Sequence, residues 1–119
     1  MKITLLDVDS QSRSYCYQKL MDIINRHKLP FTLVSASPES FEKEKDNRII
    51  VIGQSLVRKY SSQINSLRKV NNQAIFLAFV PDYKLSAGFV EKLALLGIDE
   101  VFDADSTENE IKKRLVIVL

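Results

Sequence analysis

Apolar residues gather into tight runs along this chain, each closed by polar or turn-forming residues. Ile3-Thr4-Leu5-Leu6, Ile49-Ile50-Val51-Ile52 and Ala74-Ile75-Phe76-Leu77-Ala78-Phe79-Val80 are continuous enough to predict strands buried on both faces, the position of inner parallel strands. Phe31-Thr32-Leu33-Val34-Ser35 alternates and predicts a strand nearer an edge, and Asp99-Glu100-Val101-Phe102-Asp103 predicts a short last strand. The first run breaks into Asp7-Val8-Asp9, and the second ends at Gly53.

Between these runs the period changes to that of helices. Leu20, Ile23 and Ile24, with Tyr17, form one buried stripe after a start at Asp9 or Ser10, either of which can cap the first amides. Arg26, His27 and Lys28 suit the negative end of that helix, and Pro30 closes it. Ser37-Pro38-Glu39 opens a short exposed helix in which Phe41 is the only large apolar residue before Asp46-Asn47. Val57, Tyr60, Ile64, Leu67 and Val70 predict a third helix, interrupted at Ser61-Ser62. Ser86 caps a fourth, which carries Phe89, Val90, Leu93 and Leu96 and ends at Gly97. Thr107 and Glu110 have capping-box spacing for a fifth, whose stripe is Ile111, Leu115 and Val118.

Five strands alternating with five helices over short connections predict an α/β three-layer, doubly wound fold with right-handed crossovers. Chain length favours a five-stranded parallel sheet of order 2-1-3-4-5, as in flavodoxin-like folds. The first and third strands are then neighbours, and Asp7, Asp9 and Gly53 share one crevice at the carboxyl edge.

Composition narrows the function. The 119 residues fit a single domain, 1–119, and 45% apolar with 27% charged residues is ordinary for a globular protein. A net charge of +2, with Lys and Arg interleaved among Asp and Glu, gives no basic stripe for nucleic acid. The one basic cluster, Lys112-Lys113-Arg114, is expected on the solvated face of the last helix. Cys16 is alone and forms no internal disulfide, which points to a reducing compartment. No run approaches the roughly 20 apolar residues of a membrane span, and no signal-peptide pattern begins the chain, so a cytoplasmic location without membrane contact is expected.

Few constellations carry chemistry. Asp7, Asp9, Asp82, Asp103 and Asp105 all fall at or just after predicted strand ends with no basic residue obvious among them. Asp7, Asp9 and Asp103 are the candidate ligands for Mg²⁺ or Ca²⁺, and the plainer expectation is helix caps and solvated loop acids with no cofactor. His27 has no second His or Cys near it, and Cys16 is expected to be a small buried hydrophobe, so a nucleophile paired with histidine has no support. The turn Asp7-Val8-Asp9-Ser10-Gln11-Ser12 contains no glycine, which removes both glycine-rich phosphate-cradling fingerprints.

The order of these elements, with acids ending the first strand, Gly53 ending the third and Gly97-Ile98-Asp99-Glu100-Val101 after the fourth helix, resembles the receiver domain of bacterial response regulators over essentially the whole chain. That last stretch is similar to the family's Gly-Ala-Asp-Asp-Tyr. The resemblance implies a phosphoacceptor Asp ending the third strand, Mg²⁺ on two acids ending the first, a Thr or Ser ending the fourth and a Lys ending the fifth. Here Asp7 matches the first acid, but Val8 takes the position of the second and Asp9 comes one residue late. Gly53, or Gln54 one residue on, takes the acceptor position, Ala78 or Phe79 that of the hydroxyl, and Ala104 that of the Lys. Val101, beside Phe102, takes the position of the family's switch aromatic. The resemblance therefore implies a degenerate receiver that is not an enzyme and stands outside the usual phosphorelay of two-component systems.

The segment Leu115-Val116-Ile117-Val118-Leu119 is apolar all round and is expected to be covered by another subunit or by a further segment of a longer protein. Receivers commonly use the fourth helix, fifth strand and fifth helix as their dimer and output face. On that analogy Phe89, Val101, Lys112, Val116, Ile117 and Leu119 are the candidate partner surface. The expected function is a signalling and protein-interaction domain that regulates or localises a partner or its own C-terminal effector. Some pilus-assembly localisation ATPases carry an atypical receiver of this kind. The alternatives are a divalent-metal-binding flavodoxin-like domain and a receiver phosphorylated on a non-standard Asp.

Overall fold

The structure is a computed structural model that describes residues 1–41 and 48–117. Its elements run β1 (Lys2–Leu6), α1 (Ser10–Arg26), β2 (Thr32–Ala36), α2 (Pro38–Phe41), β3 (Ile49–Ile52), α3 (Gln54–Arg58), a 3₁₀ turn (Ser61–Gln63), α4 (Ile64–Val70), β4 (Ile75–Phe79), α5 (Ala87–Leu96), β5 (Glu100–Phe102) and α6 (Glu108–Ile117). The five strands form one sheet in the order β2-β1-β3-β4-β5. Every pairing is parallel, with Leu6 opposite both Ala36 and Ile52, and Ile52 opposite Ala78. The receiver-like, doubly wound fold expected from the sequence is the one formed.

The inner strands are continuous hydrophobic runs because alternate residues enter different layers. Ile3, Leu5, Ile49, Val51, Leu77 and Phe79 pack with Cys16, Leu20, Ile23 and Ile24 of α1 and with Ile111 and Leu115 of α6. Leu6, Ile50, Ile52, Phe76 and Ala78 turn the other way, onto Leu56 and Val57 of α3, Ile64 and Leu67 of α4, and Leu93 of α5. The carboxyl ends of β1, β3 and β4 are thereby clamped from both sides.

Several expectations need correction. Asp9 occupies the N-cap place of α1 with extended backbone but makes no side-chain cap. Its carboxylate is instead drawn to Lys59. The interruption expected at Ser61-Ser62 is present and divides the third crossover into α3, the 3₁₀ turn and α4. Ser61 and Ser62 lie in that turn, where hydroxyls that compete for backbone hydrogen bonds disfavour a continuous helix. The break allows Leu56 and Val57, and then Ile64 and Leu67, to face the same side of the sheet. Val70 drops out of the stripe and is 57% exposed. Arg114 is not simply solvated, because its Nε lies 2.7 Å from Glu100 Oε2 and ties α6 to β5. The expected stop at Asp46-Asn47, the side chain of Phe41, and Val118 and Leu119 lie outside the described residues.

Gly97 is required twice over. Its φ of +110 is left-handed, and a Cβ there would lie 2.5 Å from Arg68 Cγ. The capping expectations for the last two helices hold in part, since Phe89 N–H donates to Ser86 Oγ and Glu110 N–H donates to Thr107 Oγ1, each at 3.2 Å. His27 closes α1 as its C-cap, with Nε2 3.3 Å from Glu108 Oε2. Arg26 pairs with the same carboxylate and holds Glu108 below its ordinary pKa.

Cys16 is fully buried, and burial pushes its thiol up from 9.0 to about 11. The folded state thus holds a proton that the unfolded chain releases first, so the contribution of this thiol to stability is present below pH 9 and is lost as pH rises towards about 11. Urea midpoints measured below pH 9 and near pH 11 should fall in the native chain and fall less in Cys16→Ala. Equal falls in both would show that the thiol is not responsible.

Candidate functional site

The crevice at the carboxyl edge is built around Asp7, whose exposure is 0%. Strand β1 carries this carboxylate just past its last paired residue, directly beneath the start of α3. Its Oδ1 accepts from Leu56 N–H at 2.9 Å, from Val8 N–H at 3.1 Å and from the Ser55 hydroxyl. Its Oδ2 accepts from the Ser12 hydroxyl on α1. Helix α3 has Gly53 as N-cap and so has no capping side chain of its own. Asp7 supplies the missing acceptor from the neighbouring strand.

Gly53 makes this possible. A Cβ at residue 53 would lie 2.4 Å from Asp7 Oδ2 and 2.5 Å from Asp7 Cγ. The carboxylate therefore fills the space into which any side chain at the acceptor position would project. The φ of Gly53 is an ordinary −78, so the requirement is for space and not for backbone freedom.

The remaining acids are spread apart and individually partnered. Asp9 accepts from Lys59 Nζ at 3.0 Å, and its N–H donates to Ser55 Oγ at 3.0 Å. Asp103 Oδ2 accepts from Leu85 N–H and Oδ1 from Asp105 N–H, both at 3.0 Å, while Asp105 pairs with Lys84 at 3.2 Å. Asp82 accepts from the Tyr15 hydroxyl at 2.5 Å. That hydrogen bond to a carboxylate is the main reason the tyrosine is pushed up from 10.0 to about 12. The expectation of an edge free of cations is corrected by Lys59, Lys84 and Arg13, whose Nη1 donates to Asp7 O at 3.1 Å. Among the described residues no group of three or more His, Cys, Asp or Glu side chains gathers as a metal site. Asp7, Asp9 and Asp103 are thus not brought together, and both Asp7 oxygens are already engaged by protein donors.

The other positions that the sequence singled out fall as follows. Val8 is half-buried and packs against the second core layer. Ala78 is fully buried and pairs with Ile52, one place short of Gly53 in register. Ala104 is exposed in the turn after β5, its N–H donating to Tyr83 O at 3.1 Å. On the candidate partner surface Phe89, Val101 and Lys112 are half-buried, and Val116 and Ile117 are 44% and 73% exposed. Leu119 lies outside the described residues.

Sequence reasoning missed Ser12 and Ser55, which complete the crevice, the hydrogen bonds that Gln54 makes there, and Leu95, an 84% exposed leucine on α5. A crevice of about 120 Å³ remains beside Asp9, Ser12, Gln54, Ser55, Arg58, Lys59 and Tyr83. Small polar residues two places past Gly53 and five past Asp7 are a usable signal only once β1 and β3 are known to be neighbours.

No helix among the described residues is long and apolar enough to cross a membrane. No family model matches the chain, and no curated protein matches it. Solved structures do resemble it. A pilus assembly-related protein from Burkholderia pseudomallei superposes with a TM-score of 0.72 at 13% identity, covering 99% of this chain and 88% of that one. A protein from Burkholderia thailandensis described as the pilus assembly protein cpaE gives 0.70 at 10% identity, covering 99% and 97%. A CheY-like response regulator from Mesorhizobium loti gives 0.64 at 13% identity, covering 99% and 98%. At these identities the likeness is one of fold.

Proposed function

We propose that this domain is a phosphorylation-independent, receiver-like signalling and protein-interaction module that regulates or localises an effector, either a separate partner or a C-terminal part of a longer chain. It works in the cytoplasm without catalysis and without a resident cofactor, and it binds protein rather than nucleic acid or membrane. Its docking face is that of α5, β5 and α6, which also serves a homodimer. The observation that carries the reading is the Asp7 carboxylate lying where a side chain at residue 53 would have to be. Phosphoryl transfer to a carboxylate depends on positioning and charge neutralisation, and Gly53, Val8 and Ala104 supply none of the acceptor, the second metal ligand or the cation. The pilus-assembly descriptions of two similar structures favour an effector in an assembly of that type.

The test is incubation with acetyl phosphate and Mg²⁺, followed by intact mass and sedimentation of the same sample. The expected result is no phosphoryl mass gain and self-association that ignores Mg²⁺. A stoichiometric mass gain would sink the reading, and mapping the label would show which Asp had replaced the acceptor.

A further inference from the structure

Residues 81–86, which join β4 to α5, cross the carboxyl edge as a strap held on both sides. On one side the grip is a reciprocal pair. Asp82 N–H donates to Gln54 Oε1 at 2.7 Å, and Gln54 Nε2 donates to Asp82 Oδ2 at 3.2 Å. Gln54 is 8% exposed, and the Tyr15 hydroxyl engages the other oxygen of Asp82 at 2.5 Å. One residue on, the Arg58 guanidinium lies 3.4 Å from the centroid of the Tyr83 ring. On the other side the turn after β5 holds the strap through Ala104 N–H to Tyr83 O at 3.1 Å and Leu85 N–H to Asp103 Oδ2 at 3.0 Å.

We infer that Gln54 and Asp82 form a clasp that keeps this strap, the segment leading into α5, closed over the carboxyl edge beside Asp7. The chemistry of the pair makes glutamine specific there. One end of its amide must accept from a backbone N–H while the other donates to a carboxylate. Glutamate keeps the acceptor but sets a second oxygen against Asp82 Oδ2, and asparagine is one methylene too short to span the gap. Gln54 immediately follows Gly53, so the residue beside the filled acceptor position is the one that sets the strap. The clasp is a property of the strap and stands whatever acetyl phosphate does at the neighbouring carboxylates.

Hydrogen exchange of the 82–85 amides tests it, with the amides of β1 and β3 as internal references. Losing two part-buried hydrogen bonds should speed strap exchange roughly 10-fold in Gln54→Ala and at least as much in Gln54→Glu, with the references unchanged. Asp82→Asn, which keeps both arms of the clasp, should change strap exchange by less than about threefold. A second readout is Tyr15, isolated by difference against Tyr15→Phe. If the clasp places Asp82, the tyrosine transition should fall from about 12 towards 10.0 in Gln54→Ala although Gln54 does not touch Tyr15. Strap exchange equal to the native rate in a folded Gln54→Glu, or an unmoved Tyr15 transition in Gln54→Ala, would overturn the inference. Should either Gln54 variant fail to fold, Asp82→Ala, which removes the side-chain arm together with the Tyr15 hydrogen bond and keeps the backbone arm, must still accelerate strap exchange with the references unchanged.

Discussion

Gly53→Ala should destabilise the domain by about 3 kcal/mol, read as a drop in the urea midpoint at unchanged slope. Alanine at a backbone φ of −78 is unstrained and on its own would stabilise by up to about 1 kcal/mol through the unfolded state. The close approach to Asp7 outweighs that gain. The new methyl would meet Oδ2, Cγ and Cβ of Asp7 at 2.4, 2.5 and 2.9 Å. The carboxylate cannot step aside, because Leu56 N–H and the Ser12 and Ser55 hydroxyls hold it from both ends. In an Asp7→Ala background only the 2.9 Å contact remains, so the two substitutions should couple by about 1 kcal/mol or more. Additive effects would mean that something other than Asp7 fills the space. The same crowding bears on function, since Gly53→Asp would set one carboxylate against another and should cost more than Gly53→Ala without creating a phosphoacceptor.

Asp7→Ala is the second large effect, expected at about 4 kcal/mol. The side chain is fully buried and accepts four hydrogen bonds. Removal leaves Leu56 N–H without its acceptor at the start of a helix whose N-cap is glycine. The Ser12 hydroxyl still accepts from Ser55 N–H at 3.2 Å, so part of the network survives. Asp7→Asn is nearly isosteric but turns one oxygen into a donor facing other donors, and should cost about half as much. A cost below about 1 kcal/mol for Asp7→Ala, measured by urea unfolding, would show the residue to be a vestige and not a structural centre.

The third crossover shows where local pattern and tertiary structure part company. Val57, Ile64 and Leu67 keep helical spacing and are buried as expected, and the chain breaks at Ser61 and Ser62 as expected too, but Val70 faces solvent. Spacing registers which residues are apolar, but two short helices and one long one can share that spacing when both halves lie on the same sheet face. Asp9 fails for a different reason. An acid before a helix predicts a cap, and the competing Lys59 comes from an element 50 residues away. Asp7 and Gly53 were legible as neighbours because the alternation of elements implies a parallel doubly wound sheet and the chain length favours the order in which β1 and β3 adjoin. That the carboxylate occupies the place of a missing Cβ was not legible, because it depends on a side-chain direction.

The sequence by itself determined the layers and the strand order. Burial on two faces writes unbroken apolar runs, and helices write a different period. Only the tertiary structure decided how the carboxyl edge is filled. Asp7 with Ser12 and Ser55, and Gln54 with Asp82, join residues from 5 to 48 positions apart. Hydrogen bonds between side chains depend on direction and on distances of about 3 Å. Such geometry exists only after the sheet has brought β1, β3 and β4 side by side.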